Sequence, residues 1–440
     1  MNRKCGNSRA KWLLLIGFAF ASLWCPLAAT HAAPPITMGK TYDSSNWEEL
    51  KDYGPPPLIE YVKKGEFIIK PVDLEFEWKI TDEPFLKASK ENEGKFDLDE
   101  KGYLAYKDGK GRPEFVFGYP FPTIDPKDPK VAQKIMENVN YVRYRAGSAN
   151  MVDTCIWVGR GGKERAVVLG GEFFYYQGRW GGPLPNPSNY LEQQMNFVIE
   201  PFDLRGVVQM ISIYNSDQES AMFAYVPMLR RVRRTSPAAR SNPFMGCDLS
   251  ADDTNCWSGK NASFEWKLVG ETTILTPFTS AKKFTVNQDE KGTISRNLPE
   301  LKLGYMVPGW KGASWAPTDM AWHPLEAWVV EGNPKDPYYN YGRQLFYVDK
   351  GTFALWYKEI YDRSGDYWKL VFTSQSWQQT QNGLDTVGNQ DCYFGIDSKT
   401  DHCTFCQPIV YPGRPWKINM PLSELGPDSY TESKLLQKTK

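Results

Sequence analysis

From Cys155 onward the chain keeps returning to one pattern, a short apolar run closed by a turn, and that rhythm limits the possible folds more than any other feature. Runs at 155–159, 165–176, 206–214, 221–227, 264–269, 325–331, 343–349, 353–361 and 366–373 read as strands. Turn residues separate the later ones: Asp349-Lys350-Gly351, then Arg363-Ser364-Gly365-Asp366. Strands at this spacing, joined by tight turns, form an antiparallel meander. In the last of them Trp368, Leu370 and Phe372 share a face. Upstream, Val72, Leu74, Phe76, Trp78 and Ile80 alternate with Asp73, Glu75, Glu77 and Lys79. That period of two predicts a further strand, with five apolar side chains inward and four charges facing water.

Helical signals are few. Asp43, Ser44 or Ser45 caps a short helix ending at Leu50, and a second covers 58–64 and stops at Gly65. Val131, Ile135, Val139 and Val142 give a third, opened by Asp128 or Pro129 and running to Tyr144. Residues 86–114, charged and Gly-rich, read as a loop, and the four prolines of 118–130 as a rigid irregular stretch. Residues 234–262, rich in Ser, Asn, Asp and Gly, are the strongest candidate boundary. The expected division is a leader at 1–32, an N-terminal extension at 33–130, a sheet domain at 131–373, and cysteine-containing loops with a polar tail at 374–440.

The leader is a signal peptide in layout. Arg3, Lys4, Arg9 and Lys11 precede an apolar run of ~12 residues, and Thr30-His31-Ala32 offers small residues for cleavage after Ala32. The run is short of the ~20 residues a membrane-spanning helix needs. The alternative is a retained anchor; a lipid-anchored Cys25 is disfavoured by Trp24 before it. The leader carries four basic residues and no acid, so the mature chain is left at −4 from an overall balance of 52 basic and 52 acidic residues. No basic footprint for nucleic acid is present. Aromatics, 14% of the chain, suit either sheet faces or an apolar pocket.

Six cysteines remain after cleavage: Cys155, Cys247, Cys256, Cys392, Cys403 and Cys406. An even number in an exported chain predicts disulfides, with 15 possible pairings. Cys247 and Cys256 would close a short loop, at least one local bridge is expected among Cys392, Cys403 and Cys406, and Cys155 must then reach across the fold.

Little else in the sequence promises chemistry. The mature chain has two histidines, His323 and His402, too few for most nucleophilic triads unless a partner is well placed. His323, in Trp322-His323-Pro324, reads as structural. His402 beside Cys403 and Cys406 has the composition of a zinc site but weak spacing. Cys403-Thr404-Phe405-Cys406 has CxxC spacing, yet no α/β unit precedes it. Asp252-Asp253 and Asp397/Asp401 read as solvated loop charge rather than calcium ligands or an acid/base pair. No catalytic residue, metal or cofactor is assigned. One strongly basic patch stands out, Arg230, Arg231, Arg233 and Arg234 around Val232, after a strand with Met222, Phe223 and Tyr225. It reads either as a contact for a lipid headgroup or partner, or as a patch paired to nearby acids.

A resemblance adds to this reading. The motifs Phe202-Asp203-Leu204-Arg205-Gly206, Tyr225-Val226-Pro227-Met228-Leu229-Arg230-Arg231, Asn242-Pro243-Phe244-Met245-Gly246-Cys247-Asp248 and Phe264-Glu265-Trp266-Lys267-Leu268 are similar to those of the outer-membrane lipoprotein-sorting superfamily of the Gram-negative periplasm. Glu326-Ala327-Trp328-Val329-Val330-Glu331, Phe346-Tyr347-Val348-Asp349 and Tyr361-Asp362-Arg363-Ser364-Gly365 continue it. The whole mature chain resembles one branch of that superfamily, a domain of unknown function. The resemblance implies a mainly β fold: a large curved antiparallel sheet, an incomplete β-barrel, covered by a few helices over an apolar cavity. It also implies a non-enzymatic periplasmic carrier or chaperone for a lipid or other hydrophobic molecule. Expected cavity residues are Phe223, Tyr225, Trp328, Val330, Phe346, Trp356 and Trp368, with Arg230 and Arg231 at the mouth. The alternative is an adaptor without small ligand, serving an inner-membrane exporter of the resistance-nodulation-division type or an outer-membrane protein.

Overall fold

A computed structural model describes residues 35–296, 300–412 and 414–439. The expected signal peptide at 1–32 lies outside the described residues. The fold is mainly β: one large mixed sheet, not closed into a barrel, with helices packed against it.

The meander anticipated from the turn rhythm forms twice. In the first half, Ser148–Gly159, Gly162–Tyr175, Tyr190–Glu200, Val208–Tyr214, Ala221–Val226 and Arg231–Thr235 pair in succession, all antiparallel. In the second, Phe264–Phe278, Ala321–Pro334, Gln344–Asp349, Leu355–Tyr361, Tyr367–Ser374, Cys392–Asp397 and His402–Pro408 do the same. The halves join where His402–Pro408 pairs with Ser148–Gly159. One outer edge is Arg231–Thr235; the other is capped by Tyr53–Gly54, parallel to Phe264–Phe278.

Alternation along the strands sorts the side chains of the second half into two faces. One face carries Trp328, Val330, Phe346 and Val348, and helix Val131–Tyr144 packs into its core through Ile135, Met136, Val139 and Val142. The opposite face carries an aromatic ladder in register across three strands: Phe372 against Phe394 at 4.3 Å and Phe394 against Phe405 at 4.5 Å. Such cross-strand pairs stabilise a sheet beyond their area burial. That second face is not open to water. It is covered by Tyr42, Leu58, Val62 and Ile69 from the N-terminal region and by Trp315 and Trp322. The first half is covered by Met420, Leu425, Tyr430 and Leu435 of the C-terminal tail.

Several sequence expectations change here. The alternation at 72–80 is real as burial, with its apolar residues turned inward and its charges out, but the segment forms no strand. It is an extended strap across the second face, tied by Val72 N–H to Trp322 O (2.8 Å) and Glu75 N–H to Ala281 O (2.8 Å). Period two reports which side is buried, not whether the backbone pairs. Residues 86–114 are not simply a loop. Helix Glu83–Asn92, N-capped by Asp82, runs into it, and a small hairpin pairs Phe96–Leu98 with Leu104–Tyr106. The region from 374, expected as loops, supplies two central strands. Residues 234–262, the candidate boundary, fall between the two meanders and are largely buried.

The cysteine pairing also differs. Cys155 bonds Cys406, directly opposite in register across the seam between the halves. Cys247, Cys256, Cys392 and Cys403 are buried free thiols, so neither the Cys247–Cys256 bridge nor a local C-terminal one forms. The reason is strand geometry: three residues apart, Cys403 and Cys406 point to opposite faces, and they sit in different cores. Cys392 hydrogen-bonds Ser374 Oγ (2.9 Å) on the second face instead.

A polar cover over an apolar sheet face

Between the two meanders, residues 236–263 lie over the helix-side face of the sheet as a chain of short 3-10 turns. Their apolar members, Leu249 and Trp257, enter the core: Trp257 meets Phe264 at 4.8 Å and Phe346 at 5.5 Å, edge to face. Gly395 lets the cover sit this close, since a Cβ there would fall 2.6 Å from Leu249. What fastens the cover is charge. Within the cover Arg240 takes both oxygens of Asp252 (2.9 and 3.0 Å), and Tyr339, from outside it, donates to the same carboxylate at 2.8 Å. Lys358, from the sheet, pairs with Asp253, and both are fully buried. Tyr341 Oη and the Ser250 N–H complete the Asp253 shell at 2.8 and 2.7 Å.

Asp248 makes a third anchor. It accepts from Thr404 Oγ1 (2.7 Å) and sits 2.6 Å from His402 Nδ1, while its carbonyl receives Lys369 Nζ at 2.7 Å. Trp157 and Arg165 hold the backbone carbonyls of Gly246 and Met245. Asp252-Asp253, read from sequence as solvated loop charge, are therefore buried anchors. The signal that could have found them was lysine at 358 and 369 inside aromatic-rich strands: a charge on a core-facing strand demands a partner. The fastening is also strained. Met245, Asn255 and Cys256 hold positive φ angles of 53°, 55° and 58°, a region costly for residues with a Cβ.

Beneath the cover remains an apolar cavity of about 60 Å³, bordered by Trp157, Leu169, Phe244, Leu249, Tyr393 and the Cys155–Cys406 disulfide. An apolar cavity of ~150 Å³ takes up benzene, so this one holds no acyl chain as it stands. The face is filled by the chain's own side chains. Larger clefts of about 400 and 610 Å³ lie elsewhere and have mixed linings, the first combining Tyr61, Tyr361 and Tyr367 with Arg160 and Glu359, the second combining Tyr103, Phe264 and Tyr339 with Lys101, Asp217 and Lys335.

The expected cavity residues divide. Trp328, Val330 and Phe346 come together on the covered face, and Trp368 packs edge-on to Tyr341 at its margin (5.5 Å). Trp356 points to the second face, against Phe278 at 4.9 Å. Phe223 and Tyr225 belong to the separate core over the first half. Arg230 and Arg231 are exposed and do not line the cavity. His323 Nδ1 lies 2.9 Å from the Val72 carbonyl, tying the strap. His402, Cys403 and Cys406 do not converge, because Cys406 is oxidised and Cys403 faces away. Burial raises the Cys247 thiol to about 12, which leaves almost no thiolate for exchange with the nearby disulfide.

Asp153, beside the cavity on Ser148–Gly159, gives a test of this environment. Burial raises its carboxyl to about 7, only partly offset by the Tyr393 hydroxyl at 3.4 Å. The unfolded value is about 3.9. A carboxyl raised on folding binds its proton more tightly in the native state, so stability falls as pH climbs from about 4 to about 7 and stays lower above. Asp153→Asn should therefore raise the urea midpoint at pH 8, by on the order of 3 kcal/mol in unfolding free energy, and change it little at pH 4.

An open antiparallel sheet with both faces covered, one of them by a segment held through buried ion pairs, defines the class of fold. The chain belongs to the family described as protein of unknown function (DUF1329), whose model matches residues 41–435. It is similar to the uncharacterized protein PA3922 of Pseudomonas aeruginosa, 24% identical over 272 residues, which cover 60% of this chain and 54% of the relative. The match thus spans about half the length of that curated relative. Among solved structures it is similar to a domain designated an outer-membrane lipoprotein-sorting protein from Vibrio parahaemolyticus (13% identity, 69% of this chain and 97% of that one, TM-score 0.46). It is likewise similar to a DUF1329 family protein from Desulfovibrio piger (15% identity, 68% and 98%, TM-score 0.43).

Proposed function

We propose that this protein is a periplasmic carrier for a lipid or another hydrophobic molecule, bound on the helix-side face after the cover 236–263 lifts. The observation that carries this reading is the way the cover is fastened: the buried Asp253–Lys358 ion pair and strained turns over aromatic side chains and a residual cavity. A buried ion pair returns in attraction little more than it loses in desolvation. When such a cover opens, its charges regain water, so separation costs less than peeling apart two apolar surfaces. An acyl chain gains about 0.8 kcal/mol for each CH₂ it buries, and ten such groups would replace what Phe244, Leu249 and Trp257 contribute in the closed form. No reaction is required. The Cys155–Cys406 disulfide fits an oxidising compartment, in keeping with the export leader in the sequence.

The test is gentle purification followed by extraction and mass spectrometry, together with uptake of a fluorescent fatty acid. Lipid should co-purify, and Ala251→Trp, which fills the cavity rim, should weaken fatty-acid uptake at least ~10-fold while leaving the fold intact. Protein repeatedly free of lipid, with no uptake, would count against the carrier.

The filled face favours one second reading: an adaptor that works with its hollow closed, on an exporter of the resistance-nodulation-division type or an outer-membrane protein. Crosslinking in cells that captures a stable partner from cargo-free protein would support it.

A further inference from the structure

The end of the first meander presents apolar side chains to solvent beside unpaired arginines. The turn after Tyr190–Glu200 exposes Phe202 (84%), and the turn between Ala221–Val226 and Arg231–Thr235 exposes Met228 (93%) and Leu229 (48%). Both turns lie at the same end of the sheet, because Val208 is in register with both Phe197 and Tyr225. Two strand spacings separate them, about 10 Å. Val410, 93% exposed, adjoins the same end, since its neighbour Tyr411 donates to Glu200 at 3.1 Å. Arg205, Arg230, Arg231, Arg233 and Arg234 are all exposed, and none enters an ion pair among the described residues. The reading of this patch as paired to nearby acids is thereby set aside. Asp203 is the one carboxylate on these two turns.

We infer that this end of the sheet docks on an anionic lipid bilayer, with Phe202, Met228 and Leu229 entering the interface and the arginines meeting phosphate headgroups. Exposed apolar residues this close together mark interaction sites when they are rimmed by polar groups. Here the rim is predominantly basic, five arginines against Asp203. Shallow apolar insertion combined with clustered basic residues is the pattern by which proteins bind anionic membrane surfaces. Strand addition by a protein partner is the weaker fit, because Arg231–Thr235 is a short edge strand and charged residues on such an edge oppose pairing. The inference is independent of cargo: Phe202, Met228 and Leu229 are exposed, and none of them lines the cavity beneath the cover.

The full exported chain is tested by flotation with vesicles rich in phosphatidylglycerol and, separately, with pure phosphatidylcholine vesicles, at low and high salt. Binding should require the anionic lipid and weaken with salt. The triple variant R231Q/R233Q/R234Q should lower affinity on the order of a hundredfold, and F202S/M228S should lower it while keeping the salt dependence. Both variants change exposed side chains, and unchanged thermal unfolding confirms their folding. Equal binding to both vesicle types, no binding to either, or unaltered binding by the arginine variant would overturn the inference. So would a concentration-dependent dimer that forms through the patch and leaves vesicles unbound. Loss of fatty-acid uptake with vesicle binding retained would remove the carrier reading and leave this one standing.

Discussion

Replacing Cys155 and Cys406 together by serine should lower the unfolding free energy by about 3–5 kcal/mol, one of two large effects expected in this fold. The bond joins residues 251 apart in sequence. Closing a loop of that length removes denatured-chain entropy worth about 5 kcal/mol in the chain-entropy model, and native strain or residual structure trims the realised value. The position adds to the effect. Cys155 and Cys406 sit opposite each other on the strand pair that unites the two meanders, so their link holds the halves in register even when other seam contacts open. Urea titrations with and without reductant would show a shift for the native chain and none for the serine variant. Equal midpoints in both conditions would remove the disulfide from the account of stability.

The second large effect belongs to Asp253. Asp253→Ala strands a fully buried lysine and frees the donors of Tyr341 and Ser250. Removing one partner of a buried pair costs about 3–5 kcal/mol, far more than the intact pair contributes. Burial pushes the Asp253 carboxyl upward, but the Lys358 charge and its hydrogen bonds outweigh this and hold it below the usual range. A carboxyl depressed on folding contributes stability above its unfolded value of about 3.9, and that contribution fades as pH falls through the folded value. The gap between native and Asp253→Ala protein should therefore be widest near neutrality and narrow below about pH 4. The double variant Asp253→Leu/Lys358→Met should recover part of the loss, because it removes both charges. Under the carrier reading the single variant should also take up fluorescent fatty acid faster, since its cover is less firmly held.

Much of the scaffold was visible in the sequence because local physics decides it. Val131, Ile135, Val139 and Val142 recur at helical spacing, and the structure has Val131–Tyr144. The nine apolar runs all became strands, four of them longer than the runs suggested. What escaped notice was polar sequence buried by distant partners. Tyr190–Glu200 reads Glu192-Gln193-Gln194 at its centre, and nothing nearby explains why those side chains are inside. Arg143, from the helix, reaches Glu192 at 2.8 Å, and Ser258, from the cover, accepts from Gln194 at 2.7 Å. The site was hidden for the same reason. Arg240 and Asp252 are neighbours in sequence, but Lys358 lies 105 residues from Asp253, and no periodicity links them. The cysteines misled in the opposite direction, since closeness along the chain suggested bonds that a strand's two-sided geometry forbids.

The seam has a consequence for how the molecule is made. The strand Ser148–Gly159 completes its pairing only with His402–Pro408 and Lys417–Ile418, which leave a ribosome last among the sheet's strands. A chain emerging amino end first therefore carries the early hairpins for some 250 residues of further synthesis with one side still lacking its neighbour, and an unfilled strand edge invites association with other chains. Such a nascent protein depends on being held unfolded, or shielded, until its final tenth arrives.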